Sequence, residues 1–250
     1  MIRGEGEFNK MKELLKAAKH LLVGGHRGCI CEYPENSILA MEEGIRRGAD
    51  YLEIDVQLTK DDVPVVFHDT CLGDRTSLTG YVHEVTYTQL KESIPELCTL
   101  EEAMRWGAAH DVWFGLEIKT VPLDMQKYNL RLVKKITSIL HKTGMTERIF
   151  VFGQDYQVLQ YLYEFDPSVI LGLIVPFVPI DPAGLMREMH ATIYLSYIYN
   201  ITPVIIQQLH ENGFYVSGAI LRDEHWIKRA RFLGVDMFES DYPEKYSLSH

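Results

Sequence analysis

Short apolar runs alternate with helix signals along nearly the whole chain, and that alternation commits it to a parallel α/β sheet. The strand-like runs are Leu21–Gly25, Tyr51–Val56, Val65–His68, Phe114–Ile118, Ile149–Phe152, Ile170–Val175, Ile193–Tyr199, Tyr215–Ile220 and Val235–Glu239. Between them Asn36 is placed to cap a helix running to Arg47, stopped by Gly48. Thr99 and Glu102 have capping-box spacing, and Leu123 to Lys142 carries an apolar stripe. Further helices are expected over Gln154–Phe165, from Thr202-Pro203 to Gly213, and over Arg222–Leu233. Nine runs are one more than a (β/α)8 barrel needs. The turn signal Thr59–Val63 leaves no room for a helix, so the second and third runs form a hairpin and one of them is an add-on. With 250 residues, 46% of them hydrophobic, and no linker or low-complexity tract, residues 1–250 are expected to form one barrel-sized domain.

Charges gather where these runs end. Tyr51–Val56 alternates, placing Glu53 and Asp55 on one face, and Gly115–Lys119 repeats the pattern with Glu117 and Lys119. His26 follows the first run, and the hairpin register sets His68 across from Asp55 to within a residue. Either acidic pair alone reads equally well as a solvent-facing strand edge, and His68-Asp69 as a polar strand end. Taken together they fit a shared mouth at the C-terminal end of a barrel. Carboxylates that hold a divalent cation, basic groups that neutralise phosphate and imidazoles that move protons are what cleaving a phosphodiester requires.

The ordered motifs resemble the glycerophosphodiester phosphodiesterase family. They are His26-Arg27-Gly28, Pro34-Glu35-Asn36-Ser37, Glu53-Ile54-Asp55-Val56, Thr59-Lys60-Asp61-Asp62, Val65-Val66-Phe67-His68-Asp69, Glu117-Ile118-Lys119 and Gly234 to Pro243 with Ser240-Asp241, and they span about residues 21–243. The resemblance implies a TIM (β/α)8 barrel of the phospholipase-C-like phosphodiesterase type, with an extra hairpin strand and a short insertion over the mouth at about Thr70–Thr99. It implies hydrolysis of a small glycerophosphodiester to glycerol phosphate and an alcohol. His26 and His68 are then the proton-transfer pair, serving either a substrate hydroxyl or water as nucleophile. Arg27 and Lys119 bind phosphate, and Glu53, Asp55 and Glu117 hold a hard cation, Mg²⁺ or Ca²⁺. Glu35 orients Arg27, reaches the metal or simply opens a helix. The acids paired with Arg27 and Lys119 without metal are the competing reading. The family's Trp-Thr-Val-Asn stretch is absent, Ala219 standing at the tryptophan, and its Ser-Phe reads Phe152-Gly153.

A net charge of −10 with scattered basic residues argues against nucleic-acid binding. Cys29, Cys31, Cys71 and Cys98 form no C-x-x-C pair and are expected as reduced thiols in a cytoplasmic protein. The first ten residues lack the apolar run of a signal or a membrane anchor. Met11–His20 reads as a helix that plugs the bottom of the barrel or docks a partner, the plug being preferred. The alternatives to a soluble diesterase are a lipid-acting phospholipase C- or D-like relative, which would want apolar mouth loops, and a catalytically silent barrel that binds a phospho-ligand.

Overall fold

The computed structural model describes residues 10–18, 20–73, 75–120 and 126–246. Helix α1 (Lys10–Ala17) precedes β1 (Leu22–His26), and α2 (Ile38–Arg46) leads to β2 (Tyr51–Leu58), which folds back on β3 (Pro64–Val66). An excursion then carries the short strands β4 (Cys71–Leu72) and β5 (Gly80–Tyr81) and helix α3 (Tyr87–Ser93). From there helices and strands alternate: α4 (Leu100–Ala109), β6 (Phe114–Ile118), α5 (Gln126–Thr143), β7 (Ile149–Gly153), α6 (Tyr156–Phe165), β8 (Ile170–Ile174), α7 (Pro182–Glu188), β9 (Ile193–Tyr197), α8 (Pro203–Glu211), β10 (Tyr215–Ala219), α9 (Glu224–Leu233) and β11 (Met237–Ser240).

Eight strands run parallel in the order β1-β11-β10-β9-β8-β7-β6-β2, and pairing of β1 with β2 closes the ring. This is a (β/α)8 barrel. The ninth run is the expected add-on: β3 lies antiparallel to the upper part of β2, with Val56 opposite Val66. Asp62, in the left-handed region at φ 60°, makes the turn, and Thr59 and Val63 close it. The excursion has a small core of its own, including Val65, Phe67, Leu72, Val82 and Leu90.

Two apolar layers hold the barrel. One lies between strands and helices, with Leu52, Ile54, Leu116, Val151 and Leu173 facing stripes such as Leu132, Ile136 and Leu140 of α5. The other fills the lower bore, where Met11 and Leu15 of α1 join Leu22, Tyr51, Phe150, Ile193 and Met237. So α1 plugs the bottom of the barrel, each such side chain contributing roughly 1.5–3 kcal/mol by burial.

Several boundaries differ from those read in the sequence, each for a local reason. Ser37, not Asn36, caps α2, accepting from the Ala40 amide. Asp155 and Asp223 cap α6 and α9, so these helices start later than Gln154 and Arg222. α7 has no counterpart among the helices expected from the sequence, although Asp181 caps it and Pro182 opens it. The run expected to reach Tyr199 leaves the sheet at Tyr197 and enters a 3-10 turn. The expected start of α5 at Leu123 lies outside the described residues.

Candidate active site

The loop after β1 is bent to bring its side chains over β2. Arg27 and Gly28 take positive φ (51° and 91°), and a Cβ on Gly28 would meet the Ala40 carbonyl carbon at 2.5 Å. The bend lets the Arg27 amide donate to Glu53 Oε2 at 3.0 Å. The Arg27 guanidinium donates to Glu35 Oε2 at 2.9 Å and lies 3.5 Å from Asp55 Oδ2. Asn36 is also left-handed, at φ 59°, because its side chain serves the site rather than the helix. Its Nδ2 donates to Asp55 Oδ2 at 2.8 Å, and its Oδ1 accepts from the Asp55 amide at 3.2 Å.

Register brings the acids together. Asp55 pairs with Glu117 across β2 and β6, and carboxylate oxygens of Glu53, Asp55 and Glu117 lie within 4.8 Å of one another. Lys119 bridges two of them, 3.1 Å from Asp55 Oδ1 and 2.7 Å from Glu117 Oε1. Burial, then repulsion from Asp55, Glu239 and Glu117, pushes the Glu53 carboxyl well above its ordinary range. Burial also raises Glu117 against the pull of Lys119. Asp55 stays below the ordinary range despite its burial, because Lys119, Arg27 and His68 favour its charge. This set fits a hard divalent cation: it is all oxygen, it is crowded with like charge, and Glu53 Oε1 is buried without a hydrogen-bond partner among the described residues.

Each histidine is fixed by a neighbouring aspartate. His26 Nδ1 donates to Asp241 Oδ1 at 2.6 Å, which turns Nε2 toward the mouth, 4.0 Å from Glu53 Oε2. Burial lowers the His26 pKa, opposed by the bond to Asp241. Asp241 is held below its usual range, against its own burial, by its bonds to His26 and to the Arg222 Nε. The hairpin delivers His68 one residue beyond direct opposition. It is Phe67 whose amide bonds the Asp55 carbonyl, at 3.1 Å. His68 Nδ1 then donates to Asp69 Oδ1 at 2.6 Å. Gln57 holds this strand end, its Nε2 lying 2.9, 3.1 and 3.0 Å from the carbonyls of Phe67, His68 and Asp69. From the excursion Arg75 reaches Glu35 Oε2 at 2.8 Å and Asp69 Oδ2 at 3.2 Å, so the insertion does lean over the mouth.

All eight residues singled out in the sequence therefore converge, and all but Glu35 and Asp55 line a cavity of about 220 Å³. The rest of its lining is mostly apolar, with Phe152, Ile174, Leu195, Ile220 and Tyr197 beside Gln154 and Ser196. Beyond it Phe177, Val178 and Ile180 are exposed, and Tyr197 and Tyr199 stack with centroids 5.1 Å apart. The sequence reading assigns no role to Asp69, Asp241, Gln57, Arg75 or Glu239. A carboxylate following a histidine, or two past the end of a strand, was the available signal for the first two.

A model of the glycerophosphoryl diester phosphodiesterase family matches residues 26–245. The chain is 27% identical over 237 residues to the glycerophosphodiester phosphodiesterase of Caldanaerobacter subterraneus subsp. tengcongensis, covering 89% of this chain and 95% of that protein. It is 25% identical over 269 residues to human lysophospholipase D GDPD1, covering 91% and 84%. Among solved structures, an Oleispira antarctica phosphodiesterase in complex with the product sn-glycerol-3-phosphate superposes with a TM-score of 0.82 at 21% identity, covering 90% of this chain and 94% of that one.

Proposed function

The chain belongs to the glycerophosphoryl diester phosphodiesterase family, and on that premise we propose that it hydrolyses glycerophosphodiesters to glycerol phosphate and an alcohol by histidine acid–base catalysis, with Mg²⁺ or Ca²⁺ held by Glu53, Asp55 and Glu117. The observation that carries this is the acidic trio within 4.8 Å, flanked by two histidines whose Nδ1 atoms are each committed to an aspartate. When bound, the cation supplies charge stabilisation for the phosphoryl oxygens.

His26, kept neutral by burial and held by Asp241, presents Nε2 as the base. It takes the proton of the attacking hydroxyl, either from water directly or from the substrate's own glycerol, in which case a cyclic phosphate forms and water opens it in a second step to give glycerol phosphate. His68 Nε2 gives a proton to the departing alcohol oxygen as the P–O bond breaks. Arg27 and Lys119 grip the phosphate oxygens, and Glu35 orients Arg27. Arg75, shared between Glu35 and Asp69, ties the insertion to both partners.

A second reading, a lysophospholipid substrate, is favoured by the exposed Phe177, Val178 and Ile180 beside the apolar wall. Among the described residues no helix is long and apolar enough to cross a membrane. The four free cysteines suit a reducing, cytoplasmic setting. The test is release of glycerol phosphate from soluble glycerophosphodiesters, and from lysophospholipid vesicles, with and without a chelator. Chelator-sensitive cleavage of soluble diesters is expected. Cleavage of the vesicle substrate alone would move the assignment to the lipid-acting reading, and full activity in chelator would remove the metal from it.

A further inference from the structure

Glu239 is the carboxylate at the mouth that the chemistry above leaves unused. It ends the inward face of β11, is 4% exposed, and lines the cavity with His26, Glu53 and Glu117. Its Oε1 has no hydrogen-bond partner among the described residues. Glu35 Oε1 and Glu53 Oε1 are unpaired too, but each of the other acids at the mouth has a partner on at least one oxygen, and Glu239 has none among the described residues. Glu35 and Asp55 have Arg27, Asp69 has Arg75, Glu117 has Lys119, Asp241 has Arg222 and His26, and Glu53 has the Arg27 amide. A buried carboxylate oxygen without a donor costs roughly 1–3 kcal/mol or more, so its donor is expected from a ligand. There is room for one. Ala219 follows Gly218, which pairs with Phe238, and so stands beside Glu239 with only a methyl group. Leu195 and Ile174 line the same cavity.

We propose that Glu239 and Ala219 form a subsite for a primary ammonium group on the alcohol moiety of the substrate, so that the enzyme selects aminoalkyl glycerophosphodiesters. The inference rests on the hydrolytic reading above. Charge decides between donors. A phosphodiester carries a single negative charge into a mouth already rich in carboxylates, and a zwitterionic diester brings a positive charge that favours ionisation of Glu239, the acid with no partner on either oxygen among the described residues. A hydroxyl donates without charge, and a quaternary ammonium has no proton to donate.

The experiment compares kcat/KM for glycerophosphoethanolamine, glycerophosphocholine and glycerophosphoglycerol in the wild type and in Glu239→Gln. Binding of the uncleaved diesters to His68→Ala, with and without Glu239→Gln, is followed by calorimetry. The wild type is expected to prefer the ethanolamine diester by about 10–100-fold, the scale of a hydrogen bond to a charged group. Glu239→Gln should bring the three within about threefold of one another in both turnover and binding, a level far below one charged hydrogen bond. A wild type that cleaves all three without preference overturns the subsite and leaves the hydrolytic reading standing, and this arm needs no variant to fold. An equal loss on all three substrates in Glu239→Gln also overturns it, because the carboxylate would then serve the part they share. If the wild type cleaves none of them, the hydrolytic reading falls and takes the subsite with it.

Discussion

The two sides of the barrel mouth are built on opposite principles. The side made by β1, β2, β3 and β6 is polar and tightly cross-linked: Asp55 alone touches Arg27, Asn36 and Lys119. The side made by β7 to β10 is mostly apolar, with Gln154 and Ser196 its polar lining residues, and its outer residues, Phe177, Val178 and Ile180, are exposed. Glu239 stands on β11, where the two meet, an acid like those of one side but without a partner among the described residues. The polar side fixes reacting groups in place, where displacement by about 1 Å can cost about 10²-fold in rate. The apolar side has only to accept an alcohol, and it can vary without disturbing the chemistry.

If this division holds, substitutions on the polar side reduce turnover steeply. The largest effect is expected for Asp55→Asn, which removes one cation ligand and strips Arg27 and Lys119 of a shared counter-charge. Activity should fall by at least about 10³-fold, and divalent-cation binding measured by calorimetry should be lost. Retained cation affinity would break the assignment of the trio. Next come His26→Ala and His68→Ala, each expected to lower kcat by about 10²–10⁴-fold while leaving cation affinity within about threefold of wild type. A pH–rate profile unchanged in either variant would remove that residue from proton transfer.

The border between the two sides makes its own prediction. Burial and repulsion, chiefly from Glu117 and Asp55, push the Glu239 carboxyl up to about 8. A carboxyl that holds its proton more tightly in the folded than in the unfolded state gives stability that is complete below the unfolded value of about 4.3 and is lost as pH rises toward the folded value. In chelator, the wild type should therefore lose Tm relative to Glu239→Gln between about pH 5 and pH 8, by several degrees. Saturating Mg²⁺ or Ca²⁺ should shrink the difference, since the cation replaces the proton as counter-charge. A Tm difference independent of both pH and cation would mean that Glu239 does not feel the trio. The smallest effect is expected on the apolar side. Phe177→Ser should change KM for soluble diesters by no more than about threefold, since the side chain is 54% exposed, and leave kcat alone. A loss of kcat comparable to that of His68→Ala would erase the distinction between the sides.

The same contrast explains what could be read without a structure. On the polar side the chemistry lies in strand-end motifs with fixed alternation, so the convergence of Glu53, Asp55 and Glu117 was legible from a period of two and from the barrel's geometry. The hairpin placed His68 to within one residue of its position. Asn36 was misread as a helix cap because an Asn before a helix is ordinarily one; here Ser37 takes that place and frees Asn36 for Asp55. Gln57 and Arg75 act across 10 to 12 and about 40 residues of sequence, and nothing in their own neighbourhoods announces that. On the apolar side, a loop such as residues 175–181 has no periodicity to read, and its exposure follows only from the closed ring that pushes it to the rim.

The cation site separates this account most directly from its simplest rival, in which Lys119 alone neutralises the acids. Crystals soaked in Mn²⁺, examined by anomalous scattering, should show a single strong peak at the mouth about 2.0–2.6 Å from carboxylate oxygens of Glu53, Asp55 and Glu117. No peak at that position, with Lys119 still bridging Asp55 and Glu117 in saturating Mn²⁺, would contradict it.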